Sequence, residues 1–575
     1  MKKDSKLKNF NGIREMLKDH QDSIITILIF IFHLFFVFHK LQQGILEVNP
    51  DDGAKYVESG RLLLTWGLRD LAWGPLVAFI YAPIHIIFGN LQNWFLIEVW
   101  IGNVILFGFI WFSFYALMRT LDEFINKYVV YGLLISSVAF YPIIHNQSDA
   151  LFVALSALSL TFLIRFHQKK KLSEVWLAGL FTALGVFARF ESILLIIPLV
   201  LFGLILNRKR NKTYKILIAC FVPLISILAI FSIVNVLSFG HPNLGVGNKS
   251  YESFMMNHAF LPGSKNQLAH RSGEEIYGSQ HENNASVLRA IVRNPGAAAE
   301  RALANILRLP DLFMHFFGKL QPPVLTILSL WGIYVLVKSR EKTIILLLFI
   351  WPLQSLVSLL FLPLHIIPQM SYVFFVLSGI GITQLFSQRT KLKEKLILFA
   401  VYFSVLIFSI VYGKPAFIPG AVLMMIVFLM TLLKPPKTSP VINNRLVAPI
   451  VLLTGMVMFG FDYSFPDMKL GASAEEQAIH ELQIALPDNS RVLVPYGTLA
   501  IAAKHQASIL PRDIDSVEEI SAFLIDNSID AIVIDEKRVY ASDIVEDYVW
   551  DNPEKFLYLG SSDDKSIQIY LTRND

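Results

Sequence analysis

The feature that most constrains this chain is the regular recurrence of apolar segments long enough to cross a bilayer. Stretches of about 16 to 25 residues, the length that the hydrocarbon core demands of a helix, fall near 23–40, 94–118, 128–146, 148–166, 174–188, 190–207, 214–238, 321–338, 342–363, 371–387, 395–412, 416–433 and 446–461. About thirteen spans are therefore expected. A soluble globule is excluded, because 54% of the 575 residues are hydrophobic and the mean hydropathy is +0.52, which leaves too little polar surface for water.

Charge between these segments sets an orientation. Lys2, Lys3, Lys6, Lys8, Arg14 and Lys18 precede the first apolar run, and no small-residue cleavage site follows it. This reads as an uncleaved anchor with a cytoplasmic N-terminus. Alternate loops then collect the positive charge, at 119–127, 165–171, 208–212, 338–342, 389–395 and 434–445, as the positive-inside rule requires. The pattern holds only if PLVAFIYAPIHIIFG, at 75–89, does not cross. Short and interrupted by Pro83 and His85, it reads as a juxtamembrane or re-entrant helix on the outer face.

Two outer regions are long, 41–93 and 239–320. In the second, Leu288, Ile291 and Val292, then Leu303, Ile306 and Leu307, fall at helical spacing on either side of an Asn-Pro-Gly break, as in helices lying on a membrane interface. From about residue 462 the composition changes: 22 Asp and Glu stand against 9 Lys and Arg. There SRVLVPY and DAIVIDE read as buried strands, SVEEISAFLIDN as a helix and FLYLGSSDDKSIQIYLT as a hairpin. The expected architecture is an α-helical polytopic membrane protein over 1–461, followed by a small extracytoplasmic α/β domain over 462–575. Cys220 is the single cysteine, so no disulfide framework and no cysteine metal site can form. GxxxxGK[ST] is absent, which argues against ATP-driven transport within the chain. The lysines and arginines sit in short loops between spans, a topology signal that gives no ground to expect a nucleic-acid partner.

The stretch EVNPDDGAKYVESGRLLLTWGLRDLAWG gathers the outer polar residues. Asp51 and Asp52 follow Asn49-Pro50 and precede Gly53, so turn chemistry is expected to hold both carboxylates at a bend, with an amphipathic helix along the bilayer from Ala54. Capping of that helix is the alternative use of the two acids. Arg189 and Glu191 interrupt an apolar run near an outer boundary, where an ionisable residue is costly unless paired or facing a cavity. They read as a local ion pair, as a snorkelling arginine, or as cavity residues. His145 and Asp149 either line the same cavity or cap a loop. His241, His258, His270 and His281 lack metal-ligand spacing such as HxxxH, and no zinc site is expected. Trp66 and Trp73 suit either interfacial anchoring or stacking on a sugar ring.

These landmarks, in this order, resemble the GT-C superfamily of integral membrane glycosyltransferases, in particular the bacterial branch related to protein O-mannosyltransferases and to the aminoarabinose transferases that modify lipid A. PDDGAKYVESGRLLLTWG resembles the family's first outer loop. GPLVAFIYAPIHIIFG resembles the segment that follows, closed by Phe-Gly, but departs from it by keeping one Pro and lacking a His. SDALFVALSALSL and ARFESILLIIPLVL resemble the next landmarks, so that the likeness covers roughly residues 45–205. It implies a polyprenyl-phosphate-linked sugar as donor, an outward-facing site in a bacterial plasma membrane, and an aspartate of the first outer loop, Asp51 or Asp52, as general base. The acceptor would be a hydroxyl on a lipid, an envelope glycan or a protein. Arg61, Arg69, Arg189, His241, Lys249, His258, His270 and Arg271 are the outer cations available to the lipid phosphate, with Glu191 beside them. No organic cofactor is expected, and a divalent metal is left open. The rival readings are a transporter or flippase of lipid-linked sugars, which the clustering of ionisable residues at one side disfavours, and a nonenzymatic envelope-assembly protein.

Overall fold

The computed structural model describes residues 23–31, 50–64, 74–91, 94–135, 147–207, 213–239, 286–319, 323–350, 366–385, 391–411 and, apart from short loop stretches, 474–573, with parts of 251–284. Its first part is a helical bundle: α1 (Pro50–Leu64), α2 (Leu76–Phe88), α3 (Trp94–Thr120), α4 (Lys127–Ile135), α5 (Gln147–Lys169), α6 (Leu172–Ala188), a 3₁₀ turn (Phe190–Leu195), α7 (Ile196–Asn207) and α8 (Thr213–Phe239). There follow α9 (Val287–Arg293), α10 (Pro295–Lys319), α11 (Pro323–Ser339), α12 (Lys342–Ile350), α13 (Ile366–Leu385) and α14 (Leu392–Val411). Among the described residues three helices are long and apolar enough to cross a membrane, over Ile97–Thr120, Ser148–Lys169 and Tyr214–Val234, and shorter apolar helices accompany them. The expected thirteen spans are not counted out among the described residues, because 446–461 and most of 416–433 lie outside them.

The basic loops meet at one end of the bundle. Gln168 Nε2 donates to the Thr120 carbonyl (2.9 Å), the Asn126 amide donates to Thr383 Oγ1 (2.9 Å), and Lys338 Nζ bonds Glu394 Oε1 (2.6 Å). The loops at 119–127, 165–171 and 338–342 and the start of α14 at 391–395 thus lie near the same end, as the alternation of charge requires. α2 lies at the opposite end. Gly74, just before it, packs against Ala188 and Ser148, at the end of α6 and the start of α5. His85, in its last turn, reaches Glu98 near the start of α3. Both ends of α2 therefore lie at one end of the bundle, so α2 does not cross it.

Close backbone approach holds the helices together, since lipid offers no hydrophobic driving force between them. Gly179 of α6 abuts the Ala219 carbonyl of α8; Gly332 of α11 abuts Leu377, and Gly381 of α13 abuts Leu328. Ser329 and Ser378 hydrogen-bond at that last crossing (2.7 Å), as do Ser159 and Thr182 between α5 and α6 (2.7 Å). Buried Tyr81 of α2 is wedged between Gly60 of α1, where an added Cβ would lie 2.5 Å from the Tyr81 Cβ, and Gly102 of α3. α1 is thereby seated on α2, and α2 on α3.

α9 and α10 meet at Asn294, whose side chain accepts from the Ala297 amide, so the expected Asn-Pro-Gly break is present. Their apolar residues Leu288, Val292, Leu303, Ile306 and Leu307 are all exposed, the stripe expected of interfacial helices, whereas Ile291, expected in that stripe, packs inward. The other face packs on Tyr251, Phe254 and Tyr277. There Arg301 is buried, donates to the Phe254 carbonyl (2.7 Å), lies 4.6 Å from the Phe254 ring centroid, and is lowered by burial to about 10, so it stays charged at neutral pH.

The last part comprises α15 (Ala474–Ala485), β1 (Arg491–Leu493), α16 (Thr498–Ala502), β2 (Gln506–Ser508), α17 (Val517–Asp526), β3 (Ala531–Asp535), α18 (Ser542–Asp551), β4 (Phe556–Ser561) and β5 (Ile567–Thr572). The strands form one sheet in the order β2-β1-β3-β5-β4. β1 pairs in parallel with β2 and β3, while β5 pairs antiparallel with β3 and β4. Both expected strands, the helix and the hairpin are present. β3 is buried at every residue, as a central strand covered on both faces must be. One face belongs to the same apolar cluster as the bundle, through α15 and α16; α17 and α18 cover the other. α16 packs on α1 and α3.

The Tyr81 wedge yields a test. Gly102→Val is expected to destabilise the bundle by about 1–3 kcal/mol through overpacking, read as a lower thermal midpoint in detergent. Gly108→Val on the same helix, where an added Cβ would meet only Phe30 at 3.7 Å, is the control. Equal falls in both would mean that helix propensity, not the wedge, sets the effect.

Candidate functional site

Asp149 lies in the first turn of α5 and is 2% exposed. Arg189 lies where α6 ends; its extended backbone (φ −150°, ψ 128°) breaks the helix before the 3₁₀ turn begins. The break carries the guanidinium to α5, where Nη1 meets Asp149 Oδ1 at 2.7 Å. Gln369 of α13 donates from Nε2 to the same oxygen at 3.2 Å. Three segments of the bundle therefore converge on one carboxylate, and Gly74 comes beside them. Its φ of +64° and its contact with the Ala188 carbonyl leave no room for a side chain. A buried ion pair persists only with good geometry and further hydrogen bonds, and Gln369 supplies one of these.

Arg189 is thus paired across helices with Asp149; a local pair with Glu191 is one of three readings of the sequence, and the Glu191 side chain lies outside the described residues. His85 forms a second polar pair at this end. Its Nδ1 lies 2.7 Å from Oε1 of Glu98, which is 0% exposed, and its ring packs edge-on against Trp94. Sequence reasoning did not single out Glu98 or Gln369. A signal existed for each: Glu98 is a lone acid at the start of an apolar run, and Gln369 follows Pro368 at the start of another.

Asp51 and Asp52 are not held at a bend. The helix expected from Ala54 begins at Pro50 and includes both residues in its first turn. The physical reason is that proline is pre-organised for the first helical position and acids beside it complement the helix dipole, so Asn-Pro-Asp-Asp starts a helix as readily as it makes a turn. The side chains of Asp51 and Asp52 lie outside the described residues. Farther along α1, Tyr56, Val57 and Ser59 are buried, and Arg61 pairs with Glu58 one turn earlier (3.4 Å), an arrangement worth little at a surface. Arg69, Trp66, Trp73, His145, His241, Lys249, His258, His270 and Arg271 lie outside the described residues. Among the described residues no group of three or more His, Cys, Asp or Glu is placed to hold a metal, and Cys220 is a buried core residue.

Removing either partner of the Asp149–Arg189 pair strands a charge. Asp149→Asn or Arg189→Gln is expected to destabilise the bundle by about 3–5 kcal/mol, measured by thermal unfolding in detergent. The double variant is expected to lose less than the sum of the two; strict additivity would show that the groups are not coupled.

Residues 73–234, from the Trp73-Gly74-Pro75 junction into α8, match the family described as Dolichyl-phosphate-mannose-protein mannosyltransferase. Among solved structures, ArnT from Cupriavidus metallidurans, bound to undecaprenyl phosphate, aligns with 95% of this chain and 97% of its own at 12% identity, with a TM-score of 0.52. The archaeal oligosaccharyltransferase AglB from Archaeoglobus fulgidus, in complex with an inhibitory peptide and a dolichol-phosphate, aligns with 97% of this chain and 75% of its own at 10% identity, with a TM-score of 0.50. No curated protein sequence matches the chain. Identities this low speak to fold alone. A family match over the first bundle helices, inside a fold likeness that runs the length of the chain, gives this protein the fold of the GT-C superfamily of integral membrane glycosyltransferases, as its landmarks led us to expect.

Proposed function

We propose that this protein is an inverting glycosyltransferase that takes a sugar from a polyprenyl-phosphate carrier and passes it to a hydroxyl on a lipid, an envelope glycan or a protein at the outer face of a bacterial plasma membrane. The observation that carries this reading is the whole-length fold likeness to ArnT from Cupriavidus metallidurans, a protein seen bound to undecaprenyl phosphate. The family match over 73–234 supports it.

Asp51 or Asp52 is the general base. Placement in the first turn of α1 favours the ionised carboxylate, which is the form that accepts a proton. As the acceptor oxygen bonds to the anomeric carbon, its proton passes to the carboxylate and the bond from that carbon to the phosphate oxygen breaks with inversion. The departing phosphate carries its own negative charge and needs cations more than an acid. Arg189, held by Asp149 at 2.7 Å, is one candidate cation for it. The other outer cations, Arg61, Arg69, His241, Lys249, His258, His270 and Arg271, are the remaining candidates for the phosphate. The region from residue 462 is extracytoplasmic and binds acceptor or covers the site. Its α16 packs on α1, the helix that carries the proposed base.

Sugar transfer by the purified protein from a polyprenyl-phosphate sugar tests the reading. Asp51→Asn or Asp52→Asn, at equal folded yield, is expected to lower turnover by about 10²–10⁴-fold, the usual contribution of a general base, with donor binding retained. Unchanged turnover in both variants removes these carboxylates from the mechanism. A chain ending near residue 462 is expected to transfer sugar more slowly; if it folds and turns over at the full rate, the C-terminal region has no part in the reaction.

A further inference from the structure

The C-terminal sheet carries an aromatic surface that the transfer reaction does not use. Tyr558 of β4 and Tyr570 of β5 are directly opposed cross-strand partners, their ring centroids 5.4 Å apart at 61°. Trp550, at the end of α18, lies close enough to Tyr570 to interact with its hydroxyl. That hydroxyl in turn donates to Gln568 Oε1 at 2.6 Å. Glu546, one turn before Trp550 on the same helix face, is close enough to act electrostatically on Tyr570. Trp550 is 62% exposed and Tyr558 53%, so two of the three rings stand open to solvent.

The position of this surface disfavours the commonest use of exposed Trp and Tyr, which is to anchor a protein at the bilayer. Alternation along the strands assigns the two faces of the sheet. Val492, Val494, Ala531, Val533, Ile567 and Ile569 point into the cluster shared with the bundle. Ile532, Ile534 and Phe556 point to the other side, as does Tyr570, and Tyr558 shares the face of Phe556 two residues before it. The aromatic surface therefore belongs to the sheet face turned away from the bundle.

We propose that Trp550, Tyr558 and Tyr570 form a binding platform for a neutral glycan. Pyranose rings present C–H faces that lie flat on exposed aromatic rings, while their hydroxyls donate to a carboxylate or exchange hydrogen bonds with an amide. Glu546 and Gln568 provide those two groups at the edge of the rings. The strongly acidic character of the region, 22 acids to 9 bases from residue 462 onward, repels anionic polymers and selects a neutral chain. The platform is independent of the transfer reaction, and its binding stands whether or not the chain moves a sugar.

The full-length protein in detergent micelles tests this, titrated with linear oligomers of glucose, mannose and galactose and, as the acidic control, of galacturonate. The neutral oligomers are expected to bind and the acidic one to bind far more weakly. Trp550→Ala combined with Tyr558→Ala is expected to weaken binding about tenfold or more, as the loss of two stacked rings implies, while Trp550→Phe retains part of it. Both positions are exposed, so the variants should match the wild type in thermal midpoint. Equal binding by the double variant, failure of every neutral oligomer to bind, or preference for galacturonate would overturn the proposal. So would conversion of a dimer to a monomer by the double substitution, which would make this surface a contact between two copies of the chain.

Discussion

A charged group moved into hydrocarbon loses solvation that only a paired charge or a cavity can replace, and a peptide group there must be satisfied by its own helix. Those two demands shape the bundle described here. The long helices are mostly apolar, and their ionisable groups are pushed to the ends. At one end the lysines and arginines stay in short loops, with Lys338 neutralised by Glu394. At the other end acids and bases are drawn inward and matched, Asp149 with Arg189 and Glu98 with His85. Among the described residues the bundle therefore has a solvated basic end and a paired, buried end.

Packing then fixes the paired end. Because apolar contacts gain nothing over lipid, helices approach through glycine and serine, as at Gly332, Gly381, Ser329 and Ser378. The same device holds the short helices at the polar end. Gly60 and Gly102 admit Tyr81 from either side, and Gly74 turns with positive φ against Ala188. Each of these glycines lies next to a segment whose position matters: α1 with its two aspartates, α3 with Glu98, and the junction beside Asp149.

The period and length of the apolar runs, together with the sign of the loops between them, made the bundle legible in the sequence, including the non-crossing α2. Short apolar runs bounded by turn residues did the same for β1, β3, α17 and the β4–β5 hairpin, but gave no sign of the edge strand β2. The site was less legible. Asn-Pro-Asp-Asp-Gly encodes a turn and a helix start about equally well, and the contacts of α1 with α2 and α16 favour the helix, which local sequence does not report. Arg189 stood out because it interrupts an apolar run, and Asp149 was visible at a neighbouring boundary. Their pairing depends on two helices, α5 and α6, beginning and ending at the same end of the bundle, a long-range fact that a reading of neighbours such as Arg189 and Glu191 misses. Gln369 carries no charge and left no signal beyond its place in an apolar run.

The contact between α16 and α1 gives the C-terminal region a structural part that its acidic composition alone does not suggest. α1 is a short helix of 15 residues, and isolated helices of that length are marginal in water, so its position depends on what it packs against. α2 supplies one support, through Tyr81 and Gly60. α16 supplies another from the far end of the chain, using residues 499–503, Leu-Ala-Ile-Ala-Ala, all of them buried. Small side chains allow α16 to come close, and the shared apolar cluster makes sheet and bundle a continuous core. Ordering of the segment that carries Asp51 and Asp52 is therefore coupled to completion of the C-terminal sheet, so the polar end is fully assembled only when the last part of the chain has folded.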